Sequence, residues 1–121
     1  MLVALVAVYE MRTRSESLRS VSPQELIRLM NQGALVLDLR PAEQYQGGHL
    51  NGARQMNSEQ ILNAGDTLKK HKEKTVVVYD DSGSLGAAAV RQLAGQGFTR
   101  VFTLRGGLAA WRADNLPLSR A

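Results

Sequence analysis

The sequence predicts an α/β domain built on a mainly parallel β-sheet with helices on both faces. Residues 34–37 and 75–79 form short apolar runs, typical of strands that are buried on both faces. The second run leads through a glycine-containing loop into an alanine-rich helix at residues 85–94, and residues 100–104 predict the next strand. Strands that alternate with helices in this way favour parallel βαβ units.

The first predicted helix has a clear start. Ser22 suits the N-cap, Pro23 the first helical position, and Glu25 can complete a capping box, while Gly33 ends the helix. The shorter elements are less sharply marked. They are helical turns at residues 42–46, at residues 58–62 with Ser58 as the cap and at residues 66–71, a short strand near residues 54–56, and a last helix that follows Gly106-Gly107 and contains Trp111.

Size and composition exclude several classes of function. A chain of 121 residues has the length of one domain. It contains no cysteine, which excludes disulfides, thiolate catalysis, persulfide carriage and cysteine-based zinc sites. The formal net charge of +4 is a mild excess, and the one dense basic run, residues 69–74, lies between a helical pattern and a strand. Cations suit a helix C-terminus, so we expect a solvated helix end and no nucleic-acid partner.

The N-terminus differs in kind from the rest, so we expect residues 1–14 to be an apolar segment with a basic linker. Residues 2–9 are continuously apolar, which is too short a run to cross a bilayer, since about 20 residues are needed. Arg12, Arg14 and Arg19 follow, as at the cytoplasmic exit of a transmembrane helix. We expect the segment to be the second half of a truncated membrane anchor. The alternative is a short strand or helix that packs on the domain.

Any chemistry is expected at the carboxyl ends of the strands, where open parallel sheets bind their ligands. The two clearest strands lead into Asp38 and Asp80. After the second strand, a turn exposes backbone N–H groups and a helix N-terminus adds positive potential, which is a common setting for a nucleophile. Here that position carries two carboxylates, Asp80 and Asp81.

Four segments of the chain together form a more specific pattern. They are Val36-Leu37-Asp38-Leu39-Arg40 with Glu43 and Tyr45; Gly48-His49-Leu50-Asn51-Gly52-Ala53; the strand at 75–79 with the loop at 80–86 and its helix; and Leu104-Arg105-Gly106-Gly107-Leu108-Ala109-Ala110-Trp111 with Leu116-Pro117. In this order and spacing, over about residues 17 to 118, they resemble the rhodanese family, whose second motif is Gly-His-Ile-x-Gly-Ala.

The resemblance implies a three-layer α/β/α domain at residues 15–121 with a central five-stranded, mainly parallel sheet. It also implies an active-site loop of the form Cys-x-x-Gly-x-x-Ser, whose backbone amides hold an anion while the cysteine carries sulfane sulfur. Aligning Tyr79 and Gly83 places Asp80 at the cysteine and Gly86 at the usual serine. An arginine often present in that loop is absent as well.

The N-terminal segment also resembles that of bacterial membrane-anchored single-domain members of the family. This likeness implies a protein tethered to the cytoplasmic face of the bacterial inner membrane. A soluble cytoplasmic protein is the alternative.

The loop is therefore expected to be a vacated active site with no catalytic residue. Its members are Asp80, Asp81, Ser82, Gly83, Ser84, Leu85 and Gly86. A carboxylate cannot form a persulfide, and two carboxylates would repel thiosulfate or phosphate. We hypothesise that the loop's own N–H groups hold Asp80 in place of an anion. As supporting residues, Asp38 and Arg40 are expected to pair or to bond a loop backbone, and His49 to satisfy loop carbonyls.

Two acid-dependent chemistries fit less well. A haloacid-dehalogenase-like phosphatase would need a second Asp where Ser82 stands, and a receiver-like Mg²⁺ site from Asp38, Asp80 and Asp81 would need a lysine where Arg105 stands.

The leading interpretation is a pseudoenzyme, a binding or regulatory module for an unknown protein partner or a small anion, without cofactor or metal. The alternative is a residual enzyme: a sulfurtransferase that uses an outside thiol, or an Asp80-dependent phosphatase.

Overall fold

The computed structural model describes residues 19–120, and a five-stranded sheet forms their centre. In chain order its strands are β1 (Ser20–Val21), β2 (Leu35–Asp38), β3 (Arg54–Gln55), β4 (Thr75–Tyr79) and β5 (Arg100–Leu104). All neighbouring strands are parallel, in the spatial order β1-β5-β4-β2-β3. The central pair β4 and β2 is in register from Leu35 opposite Val76 to Asp38 opposite Tyr79, so both strands end at the same edge of the sheet.

Helices cover both faces of the sheet. In chain order they are α1 (Pro23–Asn31), α2 (Ala42–Gln46), α3 (Ser58–Leu62), α4 (Ala64–Thr67), a 3₁₀-helix (Lys69–His71), α5 (Gly86–Gly95) and α6 (Gly107–Ala113). This is the three-layer α/β/α fold with a five-stranded sheet that the sequence predicted, and the sheet is entirely parallel.

The alternation of side chains along β4 divides the hydrophobic core in two. Val76 and Val78 face one core, which includes residues of α3, α4 and α5. Val77 and Tyr79 face the other, which includes residues of α1 and α6. All four side chains are fully buried, so β4 is apolar on both faces and reads in the sequence as a continuous run.

Local capping explains where two of the helices begin. The Ser22 hydroxyl accepts a hydrogen bond from Glu25 N, and the Glu25 carboxylate accepts one from Ser22 N, which completes the predicted capping box of α1. The predicted cap of α3 was wrong by one residue. Asn57 is the N-cap, because its side chain accepts from Gln60 N while the Gln60 side chain accepts from Asn57 N. An asparagine followed three residues later by glutamine forms the same reciprocal box.

Two further details differ from the sequence prediction. The helix expected at residues 66–71 is divided into α4 and the 3₁₀-helix. The edge strand β1 was not predicted, since two residues are too few to show an alternating pattern.

The predicted N-terminal segment, residues 1–14, lies outside the described residues. From Arg19 to Arg120, none of the helices is both long enough and apolar enough to span a bilayer.

Candidate functional site

Asp80 lies directly after β4, with its carboxylate turned into its own loop. Its Oδ1 accepts a 2.6 Å hydrogen bond from Gly83 N. Its Oδ2 accepts a 3.1 Å bond from Leu85 N and a 3.2 Å bond from the Ser84 hydroxyl. Only 4% of Asp80 is exposed, so these three donors replace water as its partners. The hypothesis that the loop's own N–H groups hold Asp80 is confirmed by the bonds from Gly83 and Leu85.

The rest of the loop faces outwards. The exposed residues are Asp81, Ser82, Ser84 and Leu85. Within residues 19–120, two large hydrophobic side chains are exposed, and Leu85 is one of them. The Asp81 side chain is 60% exposed, and its Oδ1 lies 3.6 Å from Arg40 Nη1. Of the two adjacent carboxylates, one is therefore enclosed by the loop and the other is available to a partner.

Two backbone hydrogen bonds from the first turn of α6 hold the 80–86 loop in place. Leu108 N donates to the Asp80 carbonyl at 2.8 Å, and Ala109 N donates to the Asp81 carbonyl at 2.9 Å. Gly107 permits this approach, since a Cβ atom there would lie 2.6 Å from the Asp80 carbonyl oxygen and its φ is +60°. The Leu-Arg-Gly-Gly segment of the sequence therefore positions the backbone of the 80–86 loop.

A buried network joins the strand ends beneath the loop. Asp38 is fully buried and accepts from Arg40 N at 2.8 Å and from Arg40 Nη2 at 2.8 Å. The Tyr79 hydroxyl donates to Asp38 at 2.6 Å and accepts from Leu50 N at 3.1 Å. Arg40 also donates to the Gly48 carbonyl at 2.6 Å, so the network holds the 48–50 loop to both strands.

Burial sets the protonation states in this network. Burial, reinforced by the hydrogen bond to Asp38, raises the pKa of the Tyr79 phenol well above its ordinary value. Burial also works against the charge of Arg40, but the hydrogen bond and the charge of Asp38 outweigh it, so the pKa of Arg40 is raised. The network therefore holds a neutral phenol and a charged guanidinium, which favours a structural role for Asp38 and Arg40.

His49 is held by contacts with helix α2 and with the C-terminal segment. Its Nδ1 lies 2.8 Å from the Tyr45 carbonyl, and its ring stacks on the Tyr45 ring with centroids 3.8 Å apart. Its backbone exchanges two hydrogen bonds with Ser119, at 2.9 and 2.7 Å. His49 thus bonds a backbone carbonyl, but this carbonyl belongs to Tyr45 in α2, whereas the sequence had suggested a loop carbonyl.

The last residue of the loop, Gly86, packs directly on β5. A Cβ atom at Gly86 would lie 2.1 Å from Thr103 Oγ1 and 2.8 Å from Thr103 Cβ. The Thr103 hydroxyl is buried and has no hydrogen-bond partner among the described residues. Thr103 therefore occupies the space that a serine side chain at position 86 would need.

Between Arg19 and Arg120, the acidic residues do not assemble into a metal site. In the part of the chain that the structure describes, no three His, Cys, Asp or Glu side chains are grouped to hold a metal ion. The Asp38 carboxylate accepts hydrogen bonds from Arg40 and Tyr79, and the Asp80 carboxylate accepts them from its own loop. Of the carboxylates proposed for a receiver-like Mg²⁺ site, Asp80 is thus bonded to its own loop, while Asp38 and Asp81 both lie beside the cationic Arg40.

Sequence reasoning missed two residues that shape the site. Tyr79 read as the end of an apolar strand, although its hydroxyl joins Asp38 to Leu50. A tyrosine that ends a buried strand needs a partner for its hydroxyl, and that was the available signal. Thr103 gave no such signal, because its contact with Gly86 depends on how α5 packs on β5.

Fold and site together define the class: a three-layer α/β domain whose strand, loop and helix enclose a carboxylate in place of a reactive thiol. The family comparison agrees with this class. The chain belongs to the rhodanese-like domain family, whose sequence model matches residues 22–114.

Relatives with this fold come from several bacteria. The chain is 34% identical over 122 residues to the Escherichia coli K12 protein YibN, covering 98% of this chain and 85% of the relative. It is 32% identical over 95 residues to the thiosulfate sulfurtransferase GlpE of Pseudomonas entomophila, covering 78% and 85%. The solved BH2092 protein of Bacillus halodurans superposes with a TM-score of 0.76 at 27% identity, covering 94% of this chain and 86% of that one.

Proposed function

We propose that this protein is a non-enzymatic binding or regulatory module in which Asp80 permanently fills the family's anion-binding loop. The observation that carries the proposal is the enclosure of the Asp80 carboxylate, which is 4% exposed and accepts from Gly83 N, Ser84 Oγ and Leu85 N. These donors would otherwise face a bound anion.

The charge of Asp80 works against binding of an outside anion. Two like charges about 4 Å apart repel by roughly 4 kcal/mol at an effective dielectric constant of 20. An incoming thiosulfate or phosphate would also have to displace Asp80 from the amides of Gly83 and Leu85. A protein partner that contacts the exposed rim, Asp81 and Leu85 above all, meets neither obstacle.

This chain lacks the cysteine sulfur that would carry sulfane sulfur during sulfur transfer. The chain has no cysteine, and Asp80 stands at the aligned cysteine position. A carboxylate oxygen cannot hold sulfane sulfur as a persulfide, so the activity named for the Pseudomonas relative does not transfer to this chain by the same route. An outside thiol would find the loop amides already bonded to Asp80.

The phosphatase alternative is disfavoured by the same geometry. Both carboxylate oxygens of Asp80 accept hydrogen bonds, which lowers their nucleophilicity, and Ser82 stands where a second Asp is required. Asp38, the other strand-end acid, is bonded to Arg40 and Tyr79.

A turnover assay tests the proposal. Purified full chain is mixed with thiosulfate and cyanide, and thiocyanate is measured beside an Asp80→Cys variant; phosphatase activity is measured with Mg²⁺ beside Asp80→Asn. We expect the unaltered chain to stay at the uncatalysed rate in both assays. Thiocyanate formation above that rate, or a Mg²⁺-dependent phosphatase activity that Asp80→Asn abolishes, would contradict the proposal.

We also propose a tether to the cytoplasmic face of the bacterial inner membrane. The support is the apolar run at residues 2–9 followed by Arg12, Arg14 and Arg19. Fractionation of cells that express the natural gene tests it. The unaltered protein is expected in the membrane fraction, and the Leu5→Asp variant is expected in the soluble fraction. Recovery of the unaltered protein in the soluble fraction would refute the tether.

A further inference from the structure

A notch lies at the outer edge of β5, beside α5. Two adjoining cavities of about 250 and about 300 Å³ form it, and both are lined by Arg19 and Val90. The notch exists because β1 is only two residues long and pairs with Thr103 and Leu104, so it covers only the final part of β5.

The backbone of β5 offers a hydrogen-bond donor in this notch. Thr103 N donates to the Arg19 carbonyl at 2.7 Å, and Arg105 N donates to the Val21 carbonyl at 2.8 Å. Because alternate residues of a strand point to the same side, the amide of Val101 faces this edge too. β1 starts at Ser20, after a turn at Arg19, and so does not extend alongside Val101.

The side chains of the notch combine an apolar floor with a cationic rim. Val90 and Val101 line it and are buried. Arg19, Arg91 and Arg100 line it and are exposed. No Asp or Glu of residues 19–120 forms an ion pair with these three arginines, so their charges are not neutralised by the described part of the chain.

We propose that this notch binds an extended segment of a partner protein in which acidic residues neighbour apolar ones. The segment adds to the sheet beside residues 100–102 of β5, and its backbone carbonyl accepts from Val101 N. Its apolar side chain covers Val90 and Val101, and its carboxylates meet Arg91 and Arg100. The inference goes beyond the proposed function, because it names a second surface and the chemistry of its partner.

Selection from an unbiased library tests the proposal. A phage-displayed library of random heptapeptides is selected on the full chain, and enriched sequences are synthesised with a fluorescent label for anisotropy titration. We expect enriched peptides to carry Asp or Glu beside apolar residues. The double variant Arg91→Gln/Arg100→Gln is expected to weaken their binding by about tenfold or more, while Arg112→Gln, an exposed arginine outside the notch, leaves it within about twofold.

A change to the peptide alone tests the backbone pairing without altering the protein. The odd-numbered amides of the peptide are N-methylated in one version and the even-numbered amides in another. One version is expected to lose binding and the other to keep it, since only one of the two sets of amides faces β5. The proposal is overturned if the library yields no enriched binders, if these are basic, if the double arginine variant binds them as tightly, or if both methylation sets behave alike.

Discussion

The Tyr79 hydroxyl donates a 2.6 Å hydrogen bond to Asp38, its partner in register on the neighbouring strand. Both side chains are fully buried, and the same hydroxyl accepts from Leu50 N. The ends of β2 and β4 are thereby joined to the 48–50 loop. Because Asp80 follows Tyr79 directly, this bond also fixes the point from which the Asp80 loop begins.

Replacing Tyr79 with Phe should destabilise the fold. The change leaves Leu50 N without its buried acceptor and removes one of the hydrogen bonds to Asp38, which keeps those from Arg40, at a cost of about 1–3 kcal/mol. Urea unfolding at neutral pH measures this loss. An unchanged midpoint would show that water replaces the hydroxyl at no cost.

The pH dependence of stability should differ between the unaltered protein and the Tyr79→Phe variant. The pKa of Tyr79 is raised in the folded state, so its contribution is fully present below the unfolded value of about 10 and is lost as pH rises above it. The stability advantage over Tyr79→Phe should therefore shrink by about 1.4 kcal/mol per pH unit above pH 10. Parallel curves from pH 8 to 11 would argue that Tyr79 ionises normally in the folded protein.

Asp38→Asn should destabilise the protein strongly. The substitution keeps the shape of the side chain but removes the carboxylate that pairs with the buried Arg40. Among residues 19–120, the exposed Asp81 at 3.6 Å is then the one charged partner left to it. Breaking one side of a buried ion pair costs about 3–5 kcal/mol. Asp66→Asn, at an exposed position, is the matched control and should change stability by less than about 0.5 kcal/mol. Equal effects of the two substitutions in urea unfolding would refute the role of the pair.

Gly86→Ser, which restores the family's usual serine, should be destabilising in this chain. Its Cβ would lie 2.1 Å from Thr103 Oγ1, and overpacking of this kind costs about 1–3 kcal/mol. Thr103→Gly removes both clashing atoms, so the double variant should recover part of the loss, with a coupling of about 0.5–3 kcal/mol. Additive free energies of unfolding in the double-mutant cycle would show that the two residues do not compete for space.

Gly107→Ala should detach α6 from the loop. Its φ of +60° strains any side chain, and the new Cβ would lie 2.6 Å from the Asp80 carbonyl oxygen. We expect a loss of more than about 1 kcal/mol and faster amide exchange at Leu108. Gly95→Ala is the control, because nothing lies within 4 Å of its added Cβ, and it should be neutral or stabilising. Similar losses in both variants would contradict the account.

The fold was predictable because its signals are local or lie in short motifs. The apolar run of β4 and the capping box of α1 each depend on a few neighbouring residues. The absence of cysteine could likewise be read directly, and with it the loss of persulfide chemistry.

The details of the site depended on contacts between distant residues. Tyr79 meets Asp38 across 41 positions of sequence, and Thr103 meets Gly86 across an interface between helix and strand. The direction of the Asp80 carboxylate is decided by the loop backbone, which explains why its enclosure was a hypothesis at the sequence level. The two-residue strand β1 had too little pattern to predict.

The central claim is that Asp80 occupies the anion site of its own loop. Thermal unfolding of the unaltered chain, Asp80→Ala and Asp81→Ala, with thiosulfate or with chloride at equal ionic strength, tests it most directly. We predict that thiosulfate raises the melting temperature of Asp80→Ala alone, because only that variant frees Gly83 N and Leu85 N. An equal thiosulfate-dependent rise in the unaltered chain would contradict the claim.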